Sequence, residues 1–450
     1  MANSSTLEWQ EESPSVWSRT LDRTELHFVA MRNAYANHGK EWGMLSTILK
    51  LDTSMSAQEF IARTTLAWKW VRSRHPILAS TLSSDVTKRV YRIAKSTELM
   101  AWLSDTFIIH DDYDDAESFR PKMKPVERAT LHVFAPAQQV LLQTPHHQID
   151  GHSILCLVNM FLDMIANPQL QEPEFGAEAQ LLAPAPSIAA NYPIATPEQR
   201  AICQDEVNKW LSGFPSSRIG ASNLRSPPSN TRSQRMVLSQ TETTAVVKAA
   251  KEKGYTPTHV VEAAAIVAGR ELEKKIKNIA EDRNYVSCGL FSLRPWCSWK
   301  FESATLPYVT FLPVVIKPAS FLGTADQVKQ YYKRWKTDSH DLLAIIEPTL
   351  ETFAVMSSGS TEPNQMLSVS SFGRFEPRLE SVHDSVTLKD FSFLYEIPDP
   401  GVTSFSWSRQ GQLHWTICYN EAYHEEANIA EWISSSRSIL LQGLGVTDTK

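Results

Sequence analysis

Apolar residues recur along this chain with two different periods, and the period changes from segment to segment. Over Ala57 to Ser73, the residues Phe60, Ile61, Thr64, Leu66, Trp68 and Val71 return at three- and four-residue steps, which predicts a helix with one broad apolar face. Arg74-His75-Pro76 closes it, because a proline disfavours helix at the residue before it. Two short runs, Thr130 to Phe134 and Gln139 to Thr144, flank Ala135-Pro136-Ala137 and predict strands around a turn. A second amphipathic helix is predicted from about Ser153 to Ile165, with Ile154, Leu157, Val158, Phe161, Leu162 and Ile165 on its apolar face.

Later in the chain, Thr258 to Lys274 reads as an alanine- and valine-rich helix. Tyr285 to Leu293, Val309 to Ile316, Met366 to Ser371 and Gly411 to Tyr419 read as strands, and Glu426 to Leu441 as a closing helix. Ser408-Arg409-Gln410-Gly411 predicts a hairpin turn flanked by Trp407 and Trp415. Those two tryptophans, with Trp296 and Trp299, read as core residues rather than ligand stackers. Helices and strands mix in both halves, which predicts an α/β sandwich rather than an all-β or all-helical protein.

Two stretches interrupt the periodicity. Asn167 to Pro197 is rich in Pro, Ala and Gln, and Ser212 to Arg235 in Ser, Pro, Gly and Arg. Read together they form a long crossover. The expected division is residues 1–185, a linker over 186–235, and residues 236–450. Two domains are also what 450 residues require, since a single core stops growing at roughly 250–300 residues.

Composition narrows the function classes. Apolar residues make up 42% and charged residues 21%, an ordinary globular balance, and the net charge is -6 without a long basic run. That argues against nucleic acid as a partner and favours small-molecule substrates. Five cysteines without CxxC spacing fit a reducing compartment. The first residues lack the layout of a secretory signal. The longest greasy stretches fall short of the ~20 residues a membrane helix needs. A cytoplasmic monomer with no membrane partner is expected.

Candidate chemistry concentrates in Gln143-Thr144-Pro145-His146-His147-Gln148-Ile149-Asp150-Gly151-His152, between a predicted strand and a predicted helix. Such turns hold side chains at a sheet edge where substrate can reach them. Histidine is the side chain whose ordinary pKa suits proton transfer near neutral pH. A bare His-x-x-x-Asp pair is a weak signal by itself. Here the following Gly151, the preceding strand and the helix it opens add context. A metal site is disfavoured, because HExxH is absent and Gly151 separates Asp150 from His152. Cys156, one helical turn further on, reads as a small buried apolar residue.

His146-x-x-x-Asp150-Gly151 resembles the signature of the chloramphenicol-acetyltransferase-like superfamily. That superfamily includes the plant BAHD acyltransferases, the condensation domains of peptide synthetases and the fungal trichothecene acetyltransferases. Arg74-His75-Pro76-Ile77-Leu78, Thr258-His259, Ser292-Leu293-Arg294-Pro295 and Tyr419-Asn420-Glu421-Ala422-Tyr423 are similar to further family elements, in the family's order. Where plant members carry Asp-Phe-Gly-Trp-Gly, this chain has Ser371-Phe372-Gly373-Arg374-Phe375, which favours the fungal branch.

The resemblance implies a two-domain sandwich with mixed sheets and an interdomain channel. It implies His146 as general base for moving an acyl group, acetyl from acetyl-CoA, onto a hydroxyl of a secondary metabolite. General-base help of this kind is worth roughly 10²–10⁴-fold. Asp150, paired with Arg294, and Gly151 would hold the loop's shape. The bland alternative for Arg294 is a solvated surface charge. His147, Phe372 and Gly373 would line the channel, with packing as the alternative for His147. No permanently bound cofactor and no metal are implied; acyl-CoA is a co-substrate. Two alternatives keep the fold: a carrier-protein-dependent condensing enzyme, and a cyclase or pericyclase that has replaced acyl transfer.

Overall fold

The computed structural model describes residues 6–217, 219–278, 282–298, 305–359, 365–376 and 378–447. Trp299 lies outside them. The chain divides into two compact units. The first comprises Met1–Asn191, Ser292–Val309 and Glu376–Glu396; the second comprises Tyr192–Phe291, Thr310–Phe375 and Ile397–Lys450. Helices and mixed sheets occur in both, giving the α/β class expected from the sequence.

The first unit is built on a six-stranded sheet. Its order is Val382–His383, Val386–Tyr395, Leu45–Thr53, Gln139–Thr144, Thr130–Phe134 and Phe107–Ile109. Neighbours run antiparallel except the last pair, which is parallel. The predicted strands Thr130–Phe134 and Gln139–Thr144 fall where the periodicity put them. Their turn is made at Gln138, whose φ is 51°. Both strands are buried along their whole length, the polar residues Thr130, His132, Gln139, Gln143 and Thr144 included.

Helices Ala57–Arg74 and Gly151–Ala166 pack against each other in this unit. Trp68 of the first stacks on Trp102 at 5.5 Å and donates its indole N–H to Thr106 Oγ1 at 3.2 Å. A smaller antiparallel sheet orders Gln10–Ser13, Val16–Thr20, Lys88–Arg92 and Thr81–Leu82.

The composition of residues 167–197 suggested a tether, yet part of it is core. Ala183, Ala185, Ala189 and Ala190 are buried, and Glu178 accepts from the Tyr91 hydroxyl at 2.8 Å. Small side chains let the backbone lie close to its neighbours there, a property that average polarity hides. A capped 16-residue helix follows over Pro197–Ser212.

In the second unit, Leu367–Arg374 lies parallel to Val402–Arg409, which is followed in the sheet by Gln412–Asn420 and Thr231–Val237. The predicted hairpin turn is present, with Gln410 and Gly411 at φ of 51° and 73°. Helices Pro257–Lys277 and Glu426–Leu444 pack together in the core of this unit. The first begins before its periodic residues do. Proline suits a first helical turn, and Thr256 caps it, accepting from the His259 amide at 3.4 Å.

Trp407 and Trp415 are buried, whereas Trp296 is half-buried. Trp415 is fully buried in the second unit's core and donates to Ser404 Oγ at 2.6 Å. Trp415→Ala is expected to cost about 3–5 kcal/mol, read as a lowered urea midpoint. An unchanged midpoint would remove this residue from the core.

Candidate active site

The motif forms a tight turn because its residues cannot continue the strand. Pro145 ends the ladder formed by Gln139–Thr144, having no N–H to donate. Its carbonyl instead accepts from the Gln148 amide at 3.0 Å. Asp150 then takes an extended conformation, φ -118° and ψ 175°, and caps the next helix by accepting from the Ser153 amide at 2.9 Å. Gly151 is the first helical residue, and its φ is not positive, so the left-handed region is not what selects glycine there.

Arg294 reaches this cap from the late segment Ser292–Val309, which belongs to the same unit. Its guanidinium grips both carboxylate oxygens of Asp150, at 2.7 and 3.0 Å, and also donates to Ser153 Oγ at 2.6 Å. The pair is largely buried, with side-chain exposures of 14% and 6%. The guanidinium also lies over the Tyr308 ring at 5.5 Å. Burial works to raise the Asp150 pKa. The charge and hydrogen bonds of Arg294 and the Ser153 amide outweigh it, leaving the carboxyl below its ordinary value and ionised.

His146 sits between these anchors with a half-buried ring. Phe28 stacks on it at 4.5 Å and 28°, and Tyr395 meets it edge-on at 5.8 Å. Gly43 lies behind both, at φ +86°; a Cβ there would stand 3.1 Å from the Tyr395 hydroxyl and 3.7 Å from His146 Cβ. Nδ1 of His146 is buried without a hydrogen-bond partner among the described residues. Burial lowers the His146 pKa, and nearby backbone groups and Asp150 offset this only in part, so the ring is neutral at physiological pH. Neighbouring His27 is pushed down to about 4, by burial and by the charge His146 would carry.

His147 is only 1% exposed. Its carbonyl accepts from Arg89 at 2.9 Å, and Arg89 also lies 3.2 Å from its Nδ1. Packing, the alternative weighed for this residue, is what its surroundings in the first unit support. Phe372 and Gly373 belong to the second unit. Phe372 packs near Phe405 and Trp407, at 5.5 and 6.2 Å. Gly373 follows a register shift in the strand; its φ is +69°, and an added Cβ would meet no described atom within 4 Å. Left-handed backbone, rather than a close approach, is therefore what selects glycine at 373.

Reading the motif missed Gln148, Phe28, Tyr395, Gly43 and Arg89. Gln148 is fully buried, accepting from the Ala129 amide at 3.0 Å and donating to the Ser80 carbonyl at 2.9 Å. A glutamine inside the motif was the available signal. Nothing local marks the others, which come together from distant segments of the chain. Cys156 is half-buried rather than buried. Among the described residues, no group of three or more His, Cys, Asp or Glu side chains could hold a metal ion. No described helix is long and apolar enough to cross a membrane.

No family model matches the chain. Acetyltransferase pigO of Monascus ruber is 25% identical, covering 99% of this chain and 100% of that protein. O-acetyltransferase pigM of the same organism is 21% identical over 93% of this chain and 84% of that protein. Among solved structures, the TRI3 trichothecene 15-O-acetyltransferase of Fusarium sporotrichioides superposes with a TM-score of 0.83, at 16% identity and covering 97% of each chain. The likeness shows a shared fold, a chloramphenicol-acetyltransferase-like α/β architecture. A condensation domain of the calcium-dependent antibiotic synthetase shares the fold more loosely. Its TM-score is 0.66 at 12% identity, covering 96% of this chain and 97% of that one.

Arg294→Ala is expected to destabilise the first unit by about 3–5 kcal/mol at pH 7, because it leaves the Asp150 carboxylate buried without its counter-charge. The sign with pH follows. In the wild type the depressed Asp150 pKa stabilises the fold above the ordinary carboxylate range, and this is lost as pH falls through the folded value. The variant lacks that contribution, so the gap between the two proteins should narrow as pH falls. Urea unfolding at pH 7 and pH 3 checks this; a gap that does not change with pH would contradict it.

Proposed function

We propose that the chain is a CoA-dependent O-acyltransferase, transferring acetyl to a hydroxyl of a secondary metabolite with His146 as general base. The observation that carries this is a neutral, half-buried imidazole held in a turn whose cap is locked by the Asp150–Arg294 pair. The acetyltransferase names of the two Monascus relatives support the reaction class, and the likeness to TRI3 supports the fold that would host it.

With Nδ1 turned into the protein, Nε2 is the nitrogen that would take a proton. It removes the proton from the acceptor hydroxyl as that oxygen attacks the thioester carbonyl. The tetrahedral intermediate collapses with cleavage of the carbon–sulfur bond, and the departing thiolate takes the proton from His146. Each turnover returns the imidazole to its neutral form. Asp150 takes no proton in this scheme; its carboxylate is committed to Arg294 and the Ser153 amide. No permanently bound cofactor is needed.

A second reading replaces acyl-CoA by an acyl chain on a carrier protein. The fold likeness to a condensation domain favours it as runner-up. The base and the proton path are the same in both.

Incubation with acetyl-CoA and a panel of hydroxylated metabolites, followed by free-thiol release, tests the proposal. His146→Ala is expected to lower turnover about 10²–10⁴-fold. Release that survives the substitution would remove His146 as base. Release only from carrier-bound thioesters would select the second reading.

The pH dependence has a definite sign. A base must be unprotonated, and burial lowers the His146 pKa, so kcat/KM should fall on the acid side with a midpoint below 6.5. A midpoint above 6.5 would contradict the assignment.

A further inference from the structure

We infer that Arg89 is a positioning residue that clamps the helix carrying Phe28 to the turn carrying His146. The inference rests on the reading of His146 as base and adds what sets the ring's position.

Arg89 lies on the short strand Lys88–Arg92 and is completely buried. Its Nε donates to Glu25 Oε1 at 3.0 Å, one terminal nitrogen to Ser80 Oγ at 3.2 Å, and the other to the His147 carbonyl at 2.9 Å. Each arm of the planar fork thus ends on a different element. Ser80 is itself tied to the turn, because its carbonyl accepts from Gln148. Two consecutive turn residues, immediately after His146, are therefore fastened to one guanidinium and its neighbour.

The other end of the clamp is Glu25. It stands in the first turn of helix Arg23–Asn33, where it completes a capping box with Asp22. Phe28 follows three residues later, on the same face of that helix, and stacks on His146. The helix start is fixed further by Asp22, which accepts from the Ser187 amide at 2.7 Å. The path from the imidazole through Phe28, Glu25, Arg89 and the His147 carbonyl closes back on the imidazole's own turn.

Glu25 is shared. Arg19 also grips it, at 2.5 and 2.8 Å, and all three side chains are fully buried. Removing Arg89 alone leaves Glu25 paired with Arg19. A variant should therefore keep the helix start while losing the tie to the turn. Lysine keeps a cation beside Glu25 but lacks the planar fork that reaches three acceptors at once.

Arg89→Met and Arg89→Lys are the tests, with kcat, KM and the acid limb of kcat/KM as readouts. Both variants are expected to fold, to lose roughly 10- to 100-fold in kcat, and to hold KM within about twofold, because the base is displaced while substrate contacts remain. A loosened Phe28 stack admits water to His146, so the acid limb should move up toward 6.5. The titratable groups facing His146 are His27, His147, Asp150 and Tyr395; none is substituted.

Carbethoxylation of His146 by diethyl pyrocarbonate, followed against pH by peptide mass spectrometry, reports the same shift without any substrate. It therefore still decides about the clamp in a protein that shows no thiol release with acetyl-CoA. Folded variants with wild-type kcat and an unmoved His146 titration overturn the inference. If the methionine variant does not fold, the lysine variant decides. Failure of both to fold also overturns it, since Arg89 would then serve the fold and not the turn.

Discussion

On the proposed reading of His146 as base, its imidazole must be held in place without its accepting nitrogen being consumed by the holding. The turn after strand Gln139–Thr144 meets that constraint by fastening its neighbours instead of the ring. Downstream, the Asp150 cap is gripped by Arg294. On the near side, the carbonyl of His147 and the amide group of Gln148 are held by Arg89, Ser80 and Ala129. Among the described residues, the His146 ring is contacted by Phe28 and Tyr395, with backbone groups of its own turn beside it. Ring contacts fix orientation while leaving Nε2 uncommitted.

The two anchors differ in how they carry charge. Asp150 and Arg294 form a one-to-one pair that is mostly but not wholly withdrawn from water. The Arg19–Glu25–Arg89 group is fully withdrawn and holds two cations against one carboxylate, with Asp22 close by. Burial and the charge of Glu25 raise Asp22 to about 6, so the second negative charge is largely present at neutral pH and is lost as pH falls through about 6. Desolvating three ions is costly, and a well-packed apolar substitute would often be as stable. What an apolar substitute could not do is donate to Glu25, Ser80 and His147 from one rigid plane.

Much of this was legible in the chain and some was not, for physical reasons. The helix Gly151–Ala166, its flanking strand and the Asp150–Arg294 pair followed from periodicity and from the resemblance of short motifs. Those signals are local: an apolar face at 3.6-residue steps, or a residue type at a fixed offset. Arg89 had no such signal. It stands in Lys-Arg-Val-Tyr-Arg, where Lys88 and Arg92 are exposed and Arg89 and Tyr91 point inward. Strand alternation places Arg89 on the face of Tyr91, and Val90 with Lys88 and Arg92 on the other. Nothing local marks a buried arginine there, because its carboxylate partner lies on a distant helix. Two late returns of the chain, 292–309 and 376–396, likewise bring Arg294 and Tyr395 into the first unit, which composition along the chain does not disclose.

TRI3 shares the architecture almost end to end while matching about one residue in six, and a condensation domain shares it with fewer still. An architecture that persists at such identity is specified by the pattern of buried positions and by a few anchors, not by the surfaces a substrate touches. Tyr395 and Gly43 form one side of the His146 surroundings. The tyrosine hydroxyl occupies the space beside Gly43, and any side chain at 43 would have to displace it while adopting a left-handed backbone. Phe28 differs, because its helix is bound into the charged cluster through Glu25. Change at Phe28 would disturb the His146 ring and its anchor together. Change at Tyr395 would alter the edge-on contact with the His146 ring.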